Sequence, residues 1–294
     1  QLGMTPILCD SNMEDLSADL EHLEKIFVEE SPSALLFVSV LGLVPDMDKI
    51  VELCTKYDVI LLEDTCEAMG CEYKGRKLGT YGLASTYSTF FGHHISTIEG
   101  GIISTNDKDF YELLVSLRSH GWDRDLSKET QVKLQKEWGV SEFNALYTFY
   151  YSGFNFRSTD LNAALGVEQL KKINKISKTR HKNFYYYKEK LNDYWRQSSR
   201  LNLLSSFGYA TFVKNRLEVF KYLESKKIQI RPLICGNIGQ QPFWKKKFIN
   251  QKKLPNAAFV DRYGLYLPNH ANLTKVDIDY ISKCFKSLAK PIFF

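Results

Sequence analysis

The chain has 294 residues, 44% of them hydrophobic and 25% charged, with a formal net charge of +5, which reads as a globular protein large enough for a substantial core and more than one lobe. Its lysines are spread over the second half in local groups such as Lys245-Lys246-Lys247 and Lys252-Lys253; with no recognition motif beside them they argue for a solvated basic face and against nucleic-acid binding. No apolar run approaches the roughly 20 residues that cross a bilayer and no secretory signal opens the chain, so no membrane association and a cytoplasmic location are expected.

Gln1 to Asp10 reads as the tail of a helix, a stop at Gly3 and a strand over 5–10. A second buried strand is expected over 34–40, with Asp19 to Glu30 a helix between them. Pro45 to Tyr57 places Met47, Ile50, Val51 and Cys54 near helical spacing and leads into Asp58-Val59-Ile60-Leu61-Leu62-Glu63-Asp64. That almost continuously apolar run stops at two carboxylates, as a strand of a covered parallel sheet does when it presents acids at its C-terminal end. Strands alternating with helices imply right-handed crossovers and a parallel sheet with covered faces. Gly100 to Thr105 supplies a further strand, and Asp107 to His120 a helix capped by Asn106 or Asp107 and stopped by Gly121. From Trp122 to Tyr151 the pattern loosens into charged and aromatic residues, which reads as an insertion facing substrate or a partner. A helix is expected to start at Ser158 or Thr159, with Leu161, Ala164, Leu165, Val167 and Leu170 on its apolar side, and to continue with a bend toward Trp195. The remainder mixes short strands with helices at Glu218–Ser225 and Lys275–Leu288, as in a smaller C-terminal lobe.

Six cysteines, at 9, 54, 66, 71, 235 and 284, form no close ligand pair, so free thiols and no metal are expected. The stretch with the strongest look of a site is Ser88-Thr89-Phe90-Phe91-Gly92-His93-His94-Ile95-Ser96-Thr97-Ile98-Glu99-Gly100-Gly101. An aromatic, strand-like segment runs into two imidazoles, then hydroxyls, then a carboxylate before two glycines that allow backbone geometry other residues avoid. Alone, this is equally a strand end with histidines in a polar turn; the acids at Glu63 and Asp64 upstream favour a site. An imidazole ordinarily titrates at about 6.5, so it can take and return a proton near neutrality.

Together the two stretches resemble the DegT/DnrJ/EryC1/StrS sugar aminotransferase family, which uses a pyridoxal-type cofactor. In most of that family the position of His93 is a lysine that holds the cofactor covalently. Histidine there is similar to one subgroup, the nucleotide-linked 4-keto-6-deoxyhexose 3-dehydratases. The resemblance continues through Arg118-Ser119-His120-Gly121, Gly153-Phe154-Asn155-Phe156-Arg157-Ser158-Thr159-Asp160, Arg231-Pro232-Leu233-Ile234-Cys235-Gly236-Asn237 and Leu267-Pro268-Asn269-His270, and so covers essentially the whole chain. A branch of these dehydratases that carries an iron–sulfur cluster is disfavoured, because no cysteine lies between His93 and Cys235.

The resemblance implies an α/β, three-layer aspartate-aminotransferase-like fold (fold type I) with a mostly parallel sheet and a smaller α+β C-terminal lobe, divided as 1–178 and 179–294. It also implies that the family's opening segment, with a phosphate-binding turn and an aromatic lid, is missing here. Asp64 would face the pyridine nitrogen of pyridoxal 5'-phosphate or pyridoxamine 5'-phosphate; the competing reading is a strand-end carboxylate capping the next turn. Ser88 matches the phosphate-binding hydroxyl, and Asn155 the asparagine that reaches the phosphate in the neighbouring subunit, with Arg157 a weaker substrate contact beside it; a homodimer with shared sites follows. Glu67, from its spacing alone, flanks the ring. Arg231 and His270 are candidate contacts to substrate, with surface positions the alternative. His94 is assigned a supporting role and Glu99 a turn. The implied activity is loss of the C3 hydroxyl from a nucleotide-diphosphate sugar, with His93 as acid and base and glutamate restoring the amine cofactor. The alternatives are a sugar aminotransferase and an inactive fragment that keeps only the dimer scaffold.

Overall fold

The computed structural model describes residues 2–234, 236–248 and 253–292. Helix α1 (Leu20–Glu30) starts where the Asp19 carboxylate accepts the Glu21 and His22 N–H groups, and buries Leu23, Ile26 and Phe27. Strand β1 (Ala34–Val38) follows, then α2 (Met47–Lys56), capped in the same way by Asp46 and burying Met47, Ile50, Leu53 and Cys54. Strand β2 (Ile60–Asp64) leads through the small hairpin β3 (Glu72–Tyr73) and β4 (Arg76–Lys77) to β5 (Ala84–Ser88) and β6 (Gly101–Thr105). The sheet order is β1-β2-β5-β6, parallel across the first three, with β6 antiparallel to β5.

Register decides where chemistry collects. Val38 pairs with Asp64 and Asp64 with Thr86, so the C-terminal ends of β1, β2 and β5 lie side by side. Glu63 fixes that end. Its carboxylate, 1% exposed, accepts backbone N–H groups from Gly79 (2.8 Å), Tyr81 (2.6 Å) and Gly82 (2.8 Å), so its charge is buried yet fully hydrogen-bonded. Gly82 can approach this closely only without a side chain: a Cβ there would stand 2.3 Å from the Leu61 carbonyl oxygen.

Helices α3 (Lys108–Arg118), α4 (Lys128–Trp138), α5 (Glu142–Ala145), α6 (Asp160–Leu170) and α7 (Ile173–Lys190) come next. The second half holds β7 (Gly208–Phe212), α8 (Arg216–Ser225), β8 (Arg231–Pro232), α9 (Pro242–Lys247), α10 (Pro255–Tyr263), β9 (Gly264–Pro268) and α11 (Lys275–Lys286). β7, β9 and β8 form an antiparallel sheet in that order. One face of α7 ties this sheet down: Arg180 Nη1 donates to the Ser206 (3.2 Å) and Phe207 (3.1 Å) carbonyls and to that of Asn269, Asn183 to His270 O (3.2 Å), and Tyr187 to Pro268 O (3.0 Å). Residues three and seven apart share a helical face, so the loop entering β7 and the loop leaving β9 are drawn toward the strand ends of the first sheet.

Three expectations are corrected. Residues 5–10 form no strand; their one ladder contact nearby is an isolated bridge between Ser11 and Ala18, because no neighbouring strand offers 5–10 a partner among the described residues. The 122–151 stretch, where the pattern was expected only to loosen, holds two helices, α4 and α5: Ser127 caps α4 and Gly139, at φ +62°, ends it. The helix expected to start at Ser158 or Thr159 and to bend on its way toward Trp195 is interrupted and not merely bent: Thr159 caps α6, the break falls at 171–172, and α7 ends at Lys190. The sheet is covered by α1 and α2 on the face bearing Phe37 and Leu61, while Leu36 (60% exposed) and Ile60 (49%) show on the other.

Candidate active site

Asp64 closes β2 half-buried, and its Oδ1 accepts the Cys66 N–H (3.0 Å), shaping the turn that follows. The loop between β5 and β6 carries His93 onto that turn. The loop is stiffened by the Thr89 and Thr97 hydroxyls (2.7 Å apart), by Thr97 N–H on Thr89 O (2.8 Å), and by Asn162 of α6 donating to Thr97 O (2.6 Å). His93 Nδ1 lies 2.7 Å from the Cys66 carbonyl oxygen. A carbonyl only accepts, so Nδ1 carries the hydrogen and Nε2 is the basic nitrogen. The imidazole also packs on Phe207, ring centroids 5.0 Å apart.

His94 points elsewhere. It is buried with Nε2 2.7 Å from Ser205 O, and burial drives its pKa down to about 3, with the nearby Arg180 cation adding to the effect. A histidine held neutral at working pH is a structural donor, as expected of it.

Glu67 Oε2 accepts the Leu41 N–H at 2.6 Å. Burial raises the Glu67 carboxyl to about 7; the Leu41 hydrogen bond opposes this and the charge of Asp64 adds to it. The sign for stability follows. The folded state holds a proton that the unfolded chain releases near its ordinary value of 4.5, so stability is complete below about pH 4.5 and is lost as pH rises through about 7. The expected loss is on the order of 3 kcal/mol. Urea unfolding of the cofactor-free protein at pH 5 and pH 8 should show it, and Glu67→Gln should remove that component; an unchanged pH difference in the variant rules out Glu67 as its source.

Glu67, His93, Phe207, Arg231, Tyr266 and His270 line one cleft of about 930 Å³ between the strand ends of the first sheet and the antiparallel sheet. Four of the residues singled out in the sequence therefore converge, and Asp64 adjoins them through the Cys66 turn. Ser88 ends β5 opposite Gly101, with its Oγ accepting the Phe90 N–H at 3.2 Å, and does not line the cleft. Asn155 and Arg157 are not brought there either. Both are exposed: Asn155 bridges Ser119, and Arg157 Nη2 approaches His120 Nε2 at 3.5 Å. Gly121 and Gly153 let these segments touch, since a Cβ on Gly153 would fall 2.2 Å from Gly121 N. Cys235 of the Arg231–Asn237 motif lies outside the described residues. Phe207 and Arg180 were not signalled by sequence: a phenylalanine beside a strand and an arginine in a lysine-rich helix look ordinary.

A pyridoxal-type group fits these side chains. A strand-end carboxylate stands next to a second carboxyl that stays protonated to near neutrality, and an imidazole with its Nε2 unengaged shares a cleft wide enough for a ring and a sugar. The sheet, the acids at its strand ends and the facing antiparallel sheet define an aspartate-aminotransferase-like α/β fold with a cleft at its strand ends. More narrowly, the chain belongs to the DegT/DnrJ/EryC1/StrS aminotransferase family, whose model matches residues 1–286. It is 33% identical over 295 residues to GDP-4-keto-6-deoxy-D-mannose 3-dehydratase of Escherichia coli O55:H7, covering 97% of this chain and 75% of that protein. Among solved structures, E. coli GDP-4-keto-6-deoxy-D-mannose-3-dehydratase with bound hydrated PLP superposes with a TM-score of 0.84 at 33% identity, over 94% of this chain and 73% of that one. A GDP-4-keto-6-deoxymannose-3-dehydratase with a trapped PLP-glutamate geminal diamine gives 0.82 at 31% identity, over 94% and 73%. No helix among the described residues is long and apolar enough to cross a membrane, and no group of three or more His, Cys, Asp or Glu among them is arranged to hold a metal.

Proposed function

We propose that this chain is a PLP/PMP-dependent dehydratase that removes the C3 hydroxyl of a nucleotide-linked 4-keto-6-deoxyhexose, in deoxysugar biosynthesis of the lipopolysaccharide O-antigen type. The observation that carries the reading is the state of His93: its Nδ1 is committed to the Cys66 carbonyl, and its Nε2 is the basic nitrogen of a side chain that lines the cleft. The amine form of the cofactor, when bound, supplies an electron sink next to the C4 carbonyl of the sugar. His93 then moves the proton at Nε2, first as base and afterwards as acid to the departing C3 oxygen. Asp64 would keep the pyridine nitrogen protonated and Glu67 would flank the ring; Ser88, outside the cleft with its Oγ on the Phe90 N–H, would have to turn toward the phosphate to bind it. Arg231 suits the diphosphate because its fork donates in pairs, with His270 beside it on the cleft wall. Glutamate is the amino donor that restores the amine.

In this reading residues 1–178 form the cofactor-binding lobe and 179–294 the smaller one. The active unit is a homodimer working in the cytoplasm. Asn155 and Arg157 lie outside their own chain's cleft, with exposed Phe154 (45%) and Phe156 (72%) beside them in the chain, which supports their serving the neighbouring subunit. The test is incubation of the full-length protein with pyridoxamine phosphate, glutamate and GDP- or CDP-linked 4-keto-6-deoxyhexose. A 3-deoxy-4-keto sugar and ammonia are expected. A 4-amino sugar instead establishes the aminotransferase alternative, and failure to bind cofactor leaves only a scaffold.

A further inference from the structure

Five links around the His93 imidazole close into a ring. His93 Nδ1–H donates to Cys66 O (2.7 Å). The His93 ring lies on the Phe207 ring at 5.0 Å and 43°. Phe207 N–H donates to Leu41 O (3.1 Å), and Leu41 N–H donates to Glu67 Oε2 (2.6 Å). Glu67 is the next residue after Cys66, which completes the circuit. Phe207 is held from a second side as well: its carbonyl accepts Arg180 Nη1 (3.1 Å), whose guanidinium carbon stands 5.9 Å from the Phe207 ring centre. Leu41, the joint between Phe207 and Glu67, is 0% exposed and sits at φ +54°. A bulky side chain seldom adopts that conformation, and it persists where the surroundings over-determine it.

An imidazole held at Nδ1 by one hydrogen bond can still rock about its Cα–Cβ and Cβ–Cγ bonds, which swings Nε2 through an arc and loosens the Nδ1–H from its carbonyl. A ring pressed against its face removes that freedom. We propose that Phe207 is a positioning residue for the acid/base histidine: its ring, clamped through both backbone atoms, fixes the rotation of the His93 imidazole and thereby the direction of Nε2. The kinetic consequence rests on the dehydratase reading; the geometric one does not.

The experiment compares Phe207→Leu, which keeps apolar bulk but no flat face, with Phe207→Tyr, which keeps the ring. In the dehydratase assay Phe207→Leu should lower kcat by about 10- to 100-fold with KM within about twofold, since misplacement of a reacting group by an ångström costs on the order of 100-fold. Phe207→Tyr should stay within about threefold of the parent. On the 15N-labelled cofactor-free protein, His93 should show one fixed Nδ1–H tautomer in the parent and in Phe207→Tyr, and averaged ring-nitrogen shifts in Phe207→Leu. Equal spectra for the two variants overturn the proposal, as does an equal loss of rate in both. Should the parent prove inactive, the proposed function fails while the nitrogen shifts still decide the role of Phe207.

Discussion

Replacing His93 with asparagine should reduce dehydration by about three orders of magnitude while the fold stays intact. General acid–base catalysis by a placed side chain contributes roughly 10²- to 10⁴-fold, and His93 is assigned both the base and the acid step. Asparagine can still donate to the Cys66 carbonyl that now takes Nδ1–H, so the local hydrogen bond survives and only the titrating nitrogen is lost. His94 cannot take over, because burial keeps it neutral down to a pKa of about 3 and its Nε2 hydrogen is committed to Ser205. Single-turnover measurement with preloaded amine cofactor isolates the step; a His93→Asn rate within tenfold of the parent excludes His93 as the proton carrier. A companion variant, His93→Lys, should create a covalent cofactor tether visible as a new absorbance band. Its appearance would place the position-93 side chain within bonding reach of the cofactor.

Much of this site was legible in the sequence because it follows from strand endings. The run that halts at Glu63-Asp64 ends β2 there, and the glycine pair after Glu99 opens β6. One cap was legible too: Asp107 was expected to cap α3 and accepts the Phe110 N–H there, while Asp19 and Thr159, expected only as helix starts, cap α1 and α6. What stayed hidden depends on contacts between distant segments. Phe207 reaches His93 across more than a hundred residues, through a fold that draws the 205–207 loop beneath the strand ends by Arg180 and His94. No periodicity reports such a contact. Helix α6 shows a different limit. The residues expected on its apolar side, Leu161, Ala164, Leu165, Val167 and Leu170, are all exposed, and none of the helix's residues is buried within the chain. A hydrophobic pattern states that a face seeks cover and leaves open which molecule provides it. Residues 5–10 fail for the same reason in reverse: strand-like composition has no structural effect without an adjacent edge to pair with.

Asp64→Asn should abolish turnover through charge alone. Asparagine keeps an Oδ1 acceptor for the Cys66 N–H that Asp64 now receives at 3.0 Å, so the turn should persist, and with it the Cys66 carbonyl that orients His93. The register of β2 with its neighbours should also hold, since it is set by backbone pairing and by Glu63. What disappears is the anion. Opposite charges about 4 Å apart in a site of effective permittivity near 20 attract by about 4 kcal/mol, and each 1.4 kcal/mol is about tenfold in rate or affinity. A loss near three orders of magnitude in turnover is therefore expected, together with weaker cofactor binding and a cofactor spectrum shifted toward the unprotonated ring. The unfolding midpoint should move by no more than a few degrees. These readouts separate the two readings of the residue. A turn-capping carboxylate alone would make Asp64→Asn nearly silent, because the amide caps as well as the acid, whereas an anion facing the pyridine nitrogen makes the same substitution close to lethal for catalysis. Undiminished turnover would assign Asp64 to the turn and remove the electrostatic basis for placing the cofactor at the end of β2.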